Sequence, residues 1–297
     1  MINPHPGLPE LEYLKPTSLE EASKFLAAHA GEARPFSGGT DCLVRLRDGV
    51  LKINYLVDVK NLDGAKEISF DPKKGLTFGA AVTMNQIAKN PEVIRYYPNL
   101  VEAVNSVASY QLRNRATVIG NICNASPAGD TIGTCIALEG VLKVHSESGF
   151  KHIPLSQFFT GPGKTVLQPG EIVISINLPV PPQGFFGVYK KLGRNVISDL
   201  SIVGVTVMGY PSKETKSGFK FKIALASVAP VPFEAFSAEA VLVEKKITPE
   251  VIAEAAQAAM DSVSPIDDVR GSARYRSYMV RNLTREALTE VWSKLSK

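Results

Sequence analysis

A glycine pair flanked by hydroxyl residues occurs early in the chain, in the segment Ser37-Gly38-Gly39-Thr40-Asp41. Glycine allows close approach to a ligand or a positive φ, and this pair follows a strand-like stretch that ends at Phe36. The N–H groups of such a turn, with a helix starting just after it, can form a nest for an anion. Ser37 and Thr40 add hydroxyl donors. Taken alone, the segment is more typical of a plain turn.

A second polar segment covers residues 117–130, with a predicted glycine turn at Gly120. Its small polar side chains are Thr117, Asn121, Asn124, Ser126 and Asp130. A diphosphate needs donors from two sides, and a ribityl or ribose chain needs acceptors such as Asp130. The two segments together are therefore predicted to clamp an extended dinucleotide. Asp130 has another interpretation, because an aspartate ahead of a helix predicted from Thr131 could cap that helix.

Other kinds of site are not indicated. The chain contains no G-x-G-x-x-G, so a standard Rossmann site is not signalled. It has three cysteines and no C-x-x-C, which argues against a disulfide framework and favours a reducing cytosol. An iron–sulfur cluster needs about four thiolates, more than this chain can supply alone. The four histidines show no metal-ligand spacing, and we expect no metal site.

Composition sets the broad class. With 297 residues, the chain is long enough for two domains or one elaborated domain, and 44% apolar residues exclude a disordered chain. No stretch approaches the ~18 uninterrupted apolar residues of a membrane span. Residues 1–6 lack a basic region followed by an apolar core, so we expect no secretory signal and a cytoplasmic location.

The net charge of +4 is too small to indicate nucleic-acid binding, and we expect none. A dense basic stretch near the end contains Arg270, Arg274, Arg276, Arg281 and Arg285. It is interpreted first as a solvated helix face and second as a docking face for an acidic partner.

The hydrophobic pattern predicts an α+β fold in two domains. Residues 1–60 are predicted to form a small β-α-β unit, with Ser18 and Glu21 as a capping box. Residues 61–180 form a second block, and the prolines at 179, 181 and 182 predict a linker. Residues 185–297 are predicted to contain long antiparallel-looking strands, among them Phe219–Ser227, followed by helices, among them Pro249–Ser262 and Ala273–Leu295.

The two segments resemble the FAD-binding subunit of the xanthine dehydrogenase and carbon monoxide dehydrogenase family, the molybdenum hydroxylases. The resemblance extends, with its motifs in the same order, along nearly the whole chain. Later stretches that agree are Phe158-Phe159-Thr160-Gly161, Pro169-Gly170-Glu171 and Tyr189-Lys190-Lys191-Leu192-Gly193-Arg194 followed by Asp199. The resemblance implies a two-part FAD-binding domain of the vanillyl-alcohol oxidase type over residues 1–180. A small antiparallel sheet carrying helices is implied for residues 185–297.

The resemblance also implies a non-covalent FAD site, with no catalytic acid or base in this chain. Its residues are Phe36, Ser37, Gly38, Gly39, Thr40, Asp41, Thr117, Ile119, Gly120, Asn121, Asn124, Ser126, Asp130 and Lys191. A side chain at Gly39 is expected to fill the diphosphate's space with little loss of fold. Lys191 is expected near the flavin, with a surface lysine on a strand as the other interpretation. Tyr189 is expected either to wall the ring or to belong to the core.

The implied partners are a large molybdopterin subunit and a small subunit with two [2Fe–2S] clusters, assembled as a dimer of heterotrimers. Electrons would pass from those clusters through FAD to an external acceptor. One alternative is a stand-alone FAD oxidoreductase of the same fold, and another is a scaffold that has lost FAD. The second arises because the family usually has glycine at Ile119. A β-branched residue resists positive φ, so this position has negative φ or the loop is shifted.

Overall fold

The computed structural model describes residues 7–195 and 198–297. His5 and the segment that bears on a secretory signal, residues 1–6, lie outside the described residues, as do residues 196 and 197. In the part of the chain that the structure describes, no helix is both long and apolar enough to span a membrane.

The strands are β1 (Glu12–Leu14), β2 (Ala33–Phe36), β3 (Tyr55–Asp58), β4 (Ile68–Asp71), β5 (Gly75–Gly79), β6 (Val141–Ser146), β7 (Gly149–Pro154), β8 (Phe159–Gly161), β9 (Lys164–Thr165), β10 (Ile172–Leu178), β11 (Phe186–Leu192), β12 (Val203–Pro211), β13 (Phe219–Ala226) and β14 (Phe233–Glu234). The helices are α1 (Leu19–Ala28), α2 (Cys42–Arg47), α3 (Met84–Lys89), α4 (Pro91–Tyr96), α5 (Pro98–Asn105), α6 (Tyr110–Arg113), α7 (Val118–Asn124), α8 (Asp130–Ala137), α9 (Phe236–Glu244), α10 (Pro249–Asp261) and α11 (Ala273–Leu295). This mixture of elements confirms the predicted α+β class.

The first unit is a parallel sheet in the order β1-β3-β2. Parallel pairing of β2 and β3 across α2 confirms the predicted β-α-β unit. Ser18 caps α1 by accepting the N–H of Glu21 at 3.1 Å. The carboxylate of Glu21 accepts from the N–H and hydroxyl of Thr17 instead of from Ser18, so the predicted capping box is half formed.

The second unit is an antiparallel sheet in the order β4-β5-β10-β6-β7, and α3, α4, α5, α7 and α8 contribute to its core. The prediction of a glycine turn at Gly120 is wrong. Residues 118–124 form α7, in which Thr117 Oγ1 accepts the N–H of Gly120 at 2.9 Å. Burial of Val118 and Ile122 in the core stabilises this helix despite its glycine and asparagines.

The third unit is an antiparallel sheet in the order β11-β12-β13-β14. One face carries α9, α10 and α11, whose apolar side chains form a core with it. The other face packs on α5 and α8 of the second unit. The predicted order of strands followed by helices is confirmed. The helices α5 and α8 connect this sheet to the second unit through their packing contacts.

The loop after β2 touches the second unit closely. The Ser37 hydroxyl donates to the carbonyl of Ala80 at 2.8 Å. A Cβ on Gly38 would lie 2.3 Å from the carbonyl oxygen of Arg115, so glycine is required here by the protein's own backbone.

Gly39 has φ +74°, and a Cβ there would lie 2.5 Å from the ring of Phe36. The expectation that a side chain at Gly39 leaves the fold largely intact is therefore wrong. Its space is already occupied by a neighbouring side chain, and its backbone lies in the left-handed region that disfavours other residues.

We predict that Gly38→Ala destabilises the protein by about 1–3 kcal/mol, because the new methyl group forces the two units apart. The measurement is the free energy of unfolding in urea. Gly133→Ala is the control, since its Cβ would meet Ala224 at 3.7 Å, an ordinary contact. Equal stability of both variants would contradict the close approach at Gly38.

Candidate functional site

A cavity of about 390 Å³ lies between the first unit and the α7 side of the second. Most of the predicted site residues line it: Phe36, Ser37, Gly38, Gly39, Thr40, Asp41, Thr117, Ile119, Gly120, Asn121 and Asn124. The volume falls within the range of roughly 300–1,000 Å³ found for small-molecule sites. The two segments therefore meet across one cavity, although they lie about eighty residues apart in sequence.

Ile119 sits in the first turn of α7, is 3% exposed and packs in the core of the second unit. It is not among the residues with positive φ. Of the two alternatives for this position, negative φ is correct. A β-branched side chain is compatible with helical φ, so Ile119 imposes no backbone strain on the cavity wall.

Two arginines that the sequence reasoning missed also line the cavity, Arg34 from β2 and Arg45 from α2. Neither has a carboxylate within ion-pair distance among residues 7–195 and 198–297. In the sequence, these two arginines stand shortly before and after the glycine pair, and this position could have indicated that they belong to the site. Two such cations in one concave site favour an anionic ligand.

The remaining predicted residues, Ser126, Asp130 and Lys191, lie outside the cavity lining. Asp130 is the first residue of α8 and is 5% exposed. Its carboxylate accepts from the Tyr189 hydroxyl at 2.7 Å and from Lys191 Nζ at 2.9 Å. The capping interpretation of Asp130 is wrong, because Gly129 is the cap residue of α8 and no side chain caps it.

The Lys191 ammonium is enclosed by three acceptors. Besides Asp130, it donates to the carbonyl of Ser106 at 3.0 Å and to the carbonyl of Asp199 at 2.8 Å. Three donors and three acceptors fix the ammonium in place. With a side chain only 13% exposed, Lys191 is not the surface lysine of the alternative interpretation.

Burial raises the pKa of Asp130 above its ordinary value, although the charge of Lys191 and its hydrogen bond act to lower it. Burial also raises the pKa of Tyr189 well above 10, and the negative charge of Asp130 adds to this effect. Tyr189 therefore stays protonated at neutral pH and remains a donor to Asp130. It is a buried residue whose hydroxyl makes a specific contact with the other domain.

The residue that follows Asp130 in α8 makes a hydrogen bond to the cavity lining. Asn121, which lines the cavity, accepts from the hydroxyl of Thr131 at 2.8 Å, next to Asp130 in α8. Ser126 Oγ accepts the N–H of Ala128 at 3.3 Å in the turn that leads to α8. The cavity and the Asp130–Lys191 pair are thus neighbouring parts of one region.

Among the residues that the structure describes, there is no group of three or more His, Cys, Asp or Glu side chains that could hold a metal ion. Cys123 and Cys135 are buried deeply enough to raise the pKa of each thiol to about 12.

Comparison with known families gives two matches. Residues 9–181 match the family described as the FAD binding domain in molybdopterin dehydrogenase. Residues 187–291 match the CO dehydrogenase flavoprotein C-terminal domain.

Individual relatives belong to the same kind of subunit as these two family matches indicate. The chain is 31% identical to the glyceraldehyde dehydrogenase medium chain of Sulfolobus acidocaldarius, over 95% of this chain and 99% of the relative. It is 26% identical to a putative xanthine dehydrogenase FAD-binding subunit of Escherichia coli, over 94% of each chain. In structure it resembles a chain of carbon monoxide dehydrogenase from Hydrogenophaga pseudoflava, with a TM-score of 0.91 and 30% identity over 96% of this chain and 98% of that one.

We predict that Asp130→Asn lowers the free energy of unfolding by about 3 kcal/mol, because Lys191 is left buried without its counter-charge. Tyr189→Phe should cost about 1.5–3 kcal/mol, since it removes a hydrogen bond to a charged group. Urea denaturation of the FAD-free protein measures both values. The double variant Asp130→Asn/Lys191→Met should lose less than the sum of its single variants, and strict additivity would contradict the pairing.

Proposed function

Since this chain belongs to the FAD-binding medium subunits of the molybdenum hydroxylase family, we propose that it is the subunit through which a larger complex passes electrons from [2Fe–2S] clusters to an external acceptor. The proposed partners are a large molybdopterin subunit that oxidises the organic substrate and a small subunit with two [2Fe–2S] clusters. We further propose a dimer of heterotrimers in the cytoplasm, residues 1–180 and 185–297 as the domains, and a vanillyl-alcohol oxidase type of FAD-binding domain.

The fit to FAD depends on the charges of the cavity. A diphosphate carries negative charge, and Arg34 and Arg45 line the cavity and form no ion pair within the described residues, although Asp41 lines the same cavity and its charge interacts with Arg45. The backbone around Gly38 and Gly39 and the hydroxyls of Thr40 and Thr117 provide polar groups on two sides. The unpaired arginine pair is the observation that carries the assignment of the diphosphate to this cavity.

We assign the ribityl chain and the ring to the adjacent region around Asp130 and Lys191. Bound FAD supplies the chemistry, because a flavin can accept single electrons and release two. The carboxylate of Asp130 already accepts from Tyr189 and Lys191 and is only 5% exposed, so in this proposal a ribityl hydroxyl would reach a remaining lone pair only where FAD extends beyond the cavity lining. Lys191 has all three donors in use and its charge is compensated by Asp130, so its role toward bound FAD would be to hold the Asp130 carboxylate in position.

Ile119 no longer argues for a scaffold that has lost FAD. Its helical conformation keeps the cavity wall continuous, and Gly120 and Asn121 remain in the lining beside it. The stand-alone oxidoreductase would have the same FAD site as the proposed subunit. The two differ in whether the chain works with partner subunits.

We predict that Arg45→Gln weakens FAD binding about tenfold or more, because a charge-assisted hydrogen bond of about 1.5–3 kcal/mol is lost. Fluorescence titration of the apoprotein with FAD measures the Kd. Arg47→Gln is the matched control, since Arg47 lies two residues further in α2, is exposed and does not line the cavity. Similar Kd values for the two variants would contradict the placement of the diphosphate.

We also predict that the protein purified from its native host contains FAD, iron and molybdenum with two further subunits. A visible spectrum, metal analysis and subunit masses test all parts together. Acid precipitation should release the flavin, because the proposed site holds it without a covalent bond. An active chain that purifies alone would favour the stand-alone oxidoreductase, and a colourless chain unable to bind FAD would favour the scaffold.

A further inference from the structure

The outward side of α11 carries a line of basic residues that takes no part in the cavity. Arg274, Tyr278, Arg281 and Arg285 follow one another at intervals of four, three and four residues, so they share one side of the helix. Arg274, Tyr278 and Arg285 are exposed, and Arg281 is partly exposed. We call these four residues the arginine stripe.

Arg276 does not belong to this surface. It is 2% exposed and points toward the sheet, where its guanidinium donates to the carbonyls of Ile202 at 2.7 Å and Ser227 at 3.1 Å. Its other amino group contacts Asp268 at 2.6 Å. The predicted basic stretch is therefore divided into an inner structural arginine and an outer surface.

The arginines of the stripe lack acidic partners. Within residues 7–195 and 198–297, Arg274, Arg281 and Arg285 form no ion pair, whereas Arg270 pairs with Asp268 at 2.7 Å. On the inner side of α11, Glu290 is occupied by Lys190 at 2.6 Å. The stripe therefore presents positive charge that the chain itself does not compensate.

Tyr278 organises two of these arginines before any partner binds. The guanidinium carbons of Arg274 and Arg281 lie 5.6 Å and 5.4 Å from the centroid of its ring. Contact with an aromatic face restricts the guanidinium. One N–H of Arg281 donates to Gln257 Oε1 at 3.4 Å, and its other N–H groups remain available for other acceptors. Planar guanidinium groups bind carboxylates through two parallel hydrogen bonds.

Apolar side chains are exposed at the start of the same helix. Val269 and Ile266, in the segment before α11, are 94% and 71% exposed, and Tyr275 is exposed in its first turn. Arginine and tyrosine are enriched at the centres of protein interfaces. Arg274 also stands in a first turn that contains no acidic residue, although the helix dipole favours acids there.

We propose that the arginine stripe, with Val269, Ile266 and Tyr275 beside it, docks an acidic face of a partner protein subunit. The inference rests on the assembly in the proposed function and adds the surface that this chain uses. A second copy of this chain would bring arginines against arginines in a two-fold contact. A nucleic-acid backbone would leave the exposed valine and isoleucine uncovered.

The stripe is separated from the cofactor region by a whole sheet. The helix α11 packs on β11 and β12, whereas α8 packs on the opposite face of the same sheet. The docking surface therefore holds the complex together and is not a route for electrons to the Asp130–Lys191 region. Changes in the stripe should leave FAD binding unaltered.

The test uses the tagged full chain, produced in its native host with its own partner subunits. Arg274→Glu/Arg281→Glu is compared with wild type by size-exclusion chromatography with light scattering over a range of salt concentrations. Wild type is expected to elute with both partners at low salt. The charge reversal should weaken assembly by on the order of tenfold or more, with FAD content and melting temperature unchanged. The assembly strength of Arg274→Lys/Arg281→Lys should lie between those of wild type and the charge reversal, because lysine keeps the positive charge but lacks the planar guanidinium that binds a carboxylate through two hydrogen bonds.

The matched control is Lys213→Glu/Lys246→Glu, which changes the net charge equally at two exposed lysines outside the stripe. Control variants that assemble like wild type, beside weakened charge-reversal variants, support the proposal. Assembly of the charge-reversal variant at wild-type strength overturns it. Binding of each variant to a heparin column is measured as well. If the charge-reversal variant loses heparin binding but assembles normally, the proposal is overturned and the stripe binds a polyanion instead of a protein subunit. Wild type that purifies alone overturns the proposed assembly and the docking surface together.

Discussion

The ion pair between Asp130 and Lys191 joins the FAD-binding domain to the C-terminal domain. Asp130 begins α8 of the second unit, and Lys191 lies near the end of β11 in the third. Burying either charge alone is costly, so each domain places a charge that needs the other. A second contact between Thr134 and Thr206 hydroxyls, 2.9 Å apart, lies along the same helix. The orientation of α8 against the sheet, and with it the cofactor region, depends on this pairing.

A comparable constraint acts between the two units of the FAD-binding domain. The Ser37–Ala80 hydrogen bond and the close approach of Gly38 to Arg115 leave no room for adjustment at that end of the cavity. The sequence reasoning attributed the glycine pair to the needs of a ligand. In the structure, the pair first satisfies the protein's own backbone and Phe36, and a cavity with two fixed walls results. Such preorganisation lowers the entropy lost on binding.

Elements with a strong local pattern could be predicted from the sequence. The bounds of α11 agree with the prediction, and α10 and β13 differ from it by a residue, because periodicity and proline or serine signals mark their ends. Residues 118–124 could not be predicted, since a glycine and two asparagines hide a helix that tertiary burial stabilises. The Asp130–Lys191 contact spans sixty-one residues, a separation at which local patterns carry no information. The two polar segments could be predicted from their residue types, and the resemblance added Lys191 and the identity of the ligand. Arg34 and Arg45 flank the glycine pair in sequence, but only the cavity shows that both line one site.

The alternation of β11 shows how one strand separates two sets of charges. Lys191 points toward α8 and is compensated by Asp130, while Lys190 points toward α11 and is compensated by Glu290. Both lysines of this strand are thus neutralised within the chain. Among the described residues, the arginines that form no ion pair include Arg34 and Arg45 in the cavity and the three arginines of the stripe on the outer side of α11. Where such arginines gather in a concave site or along one side of a helix, their summed charge attracts an anion. We propose a diphosphate as that anion in the cavity and a set of carboxylates on α11.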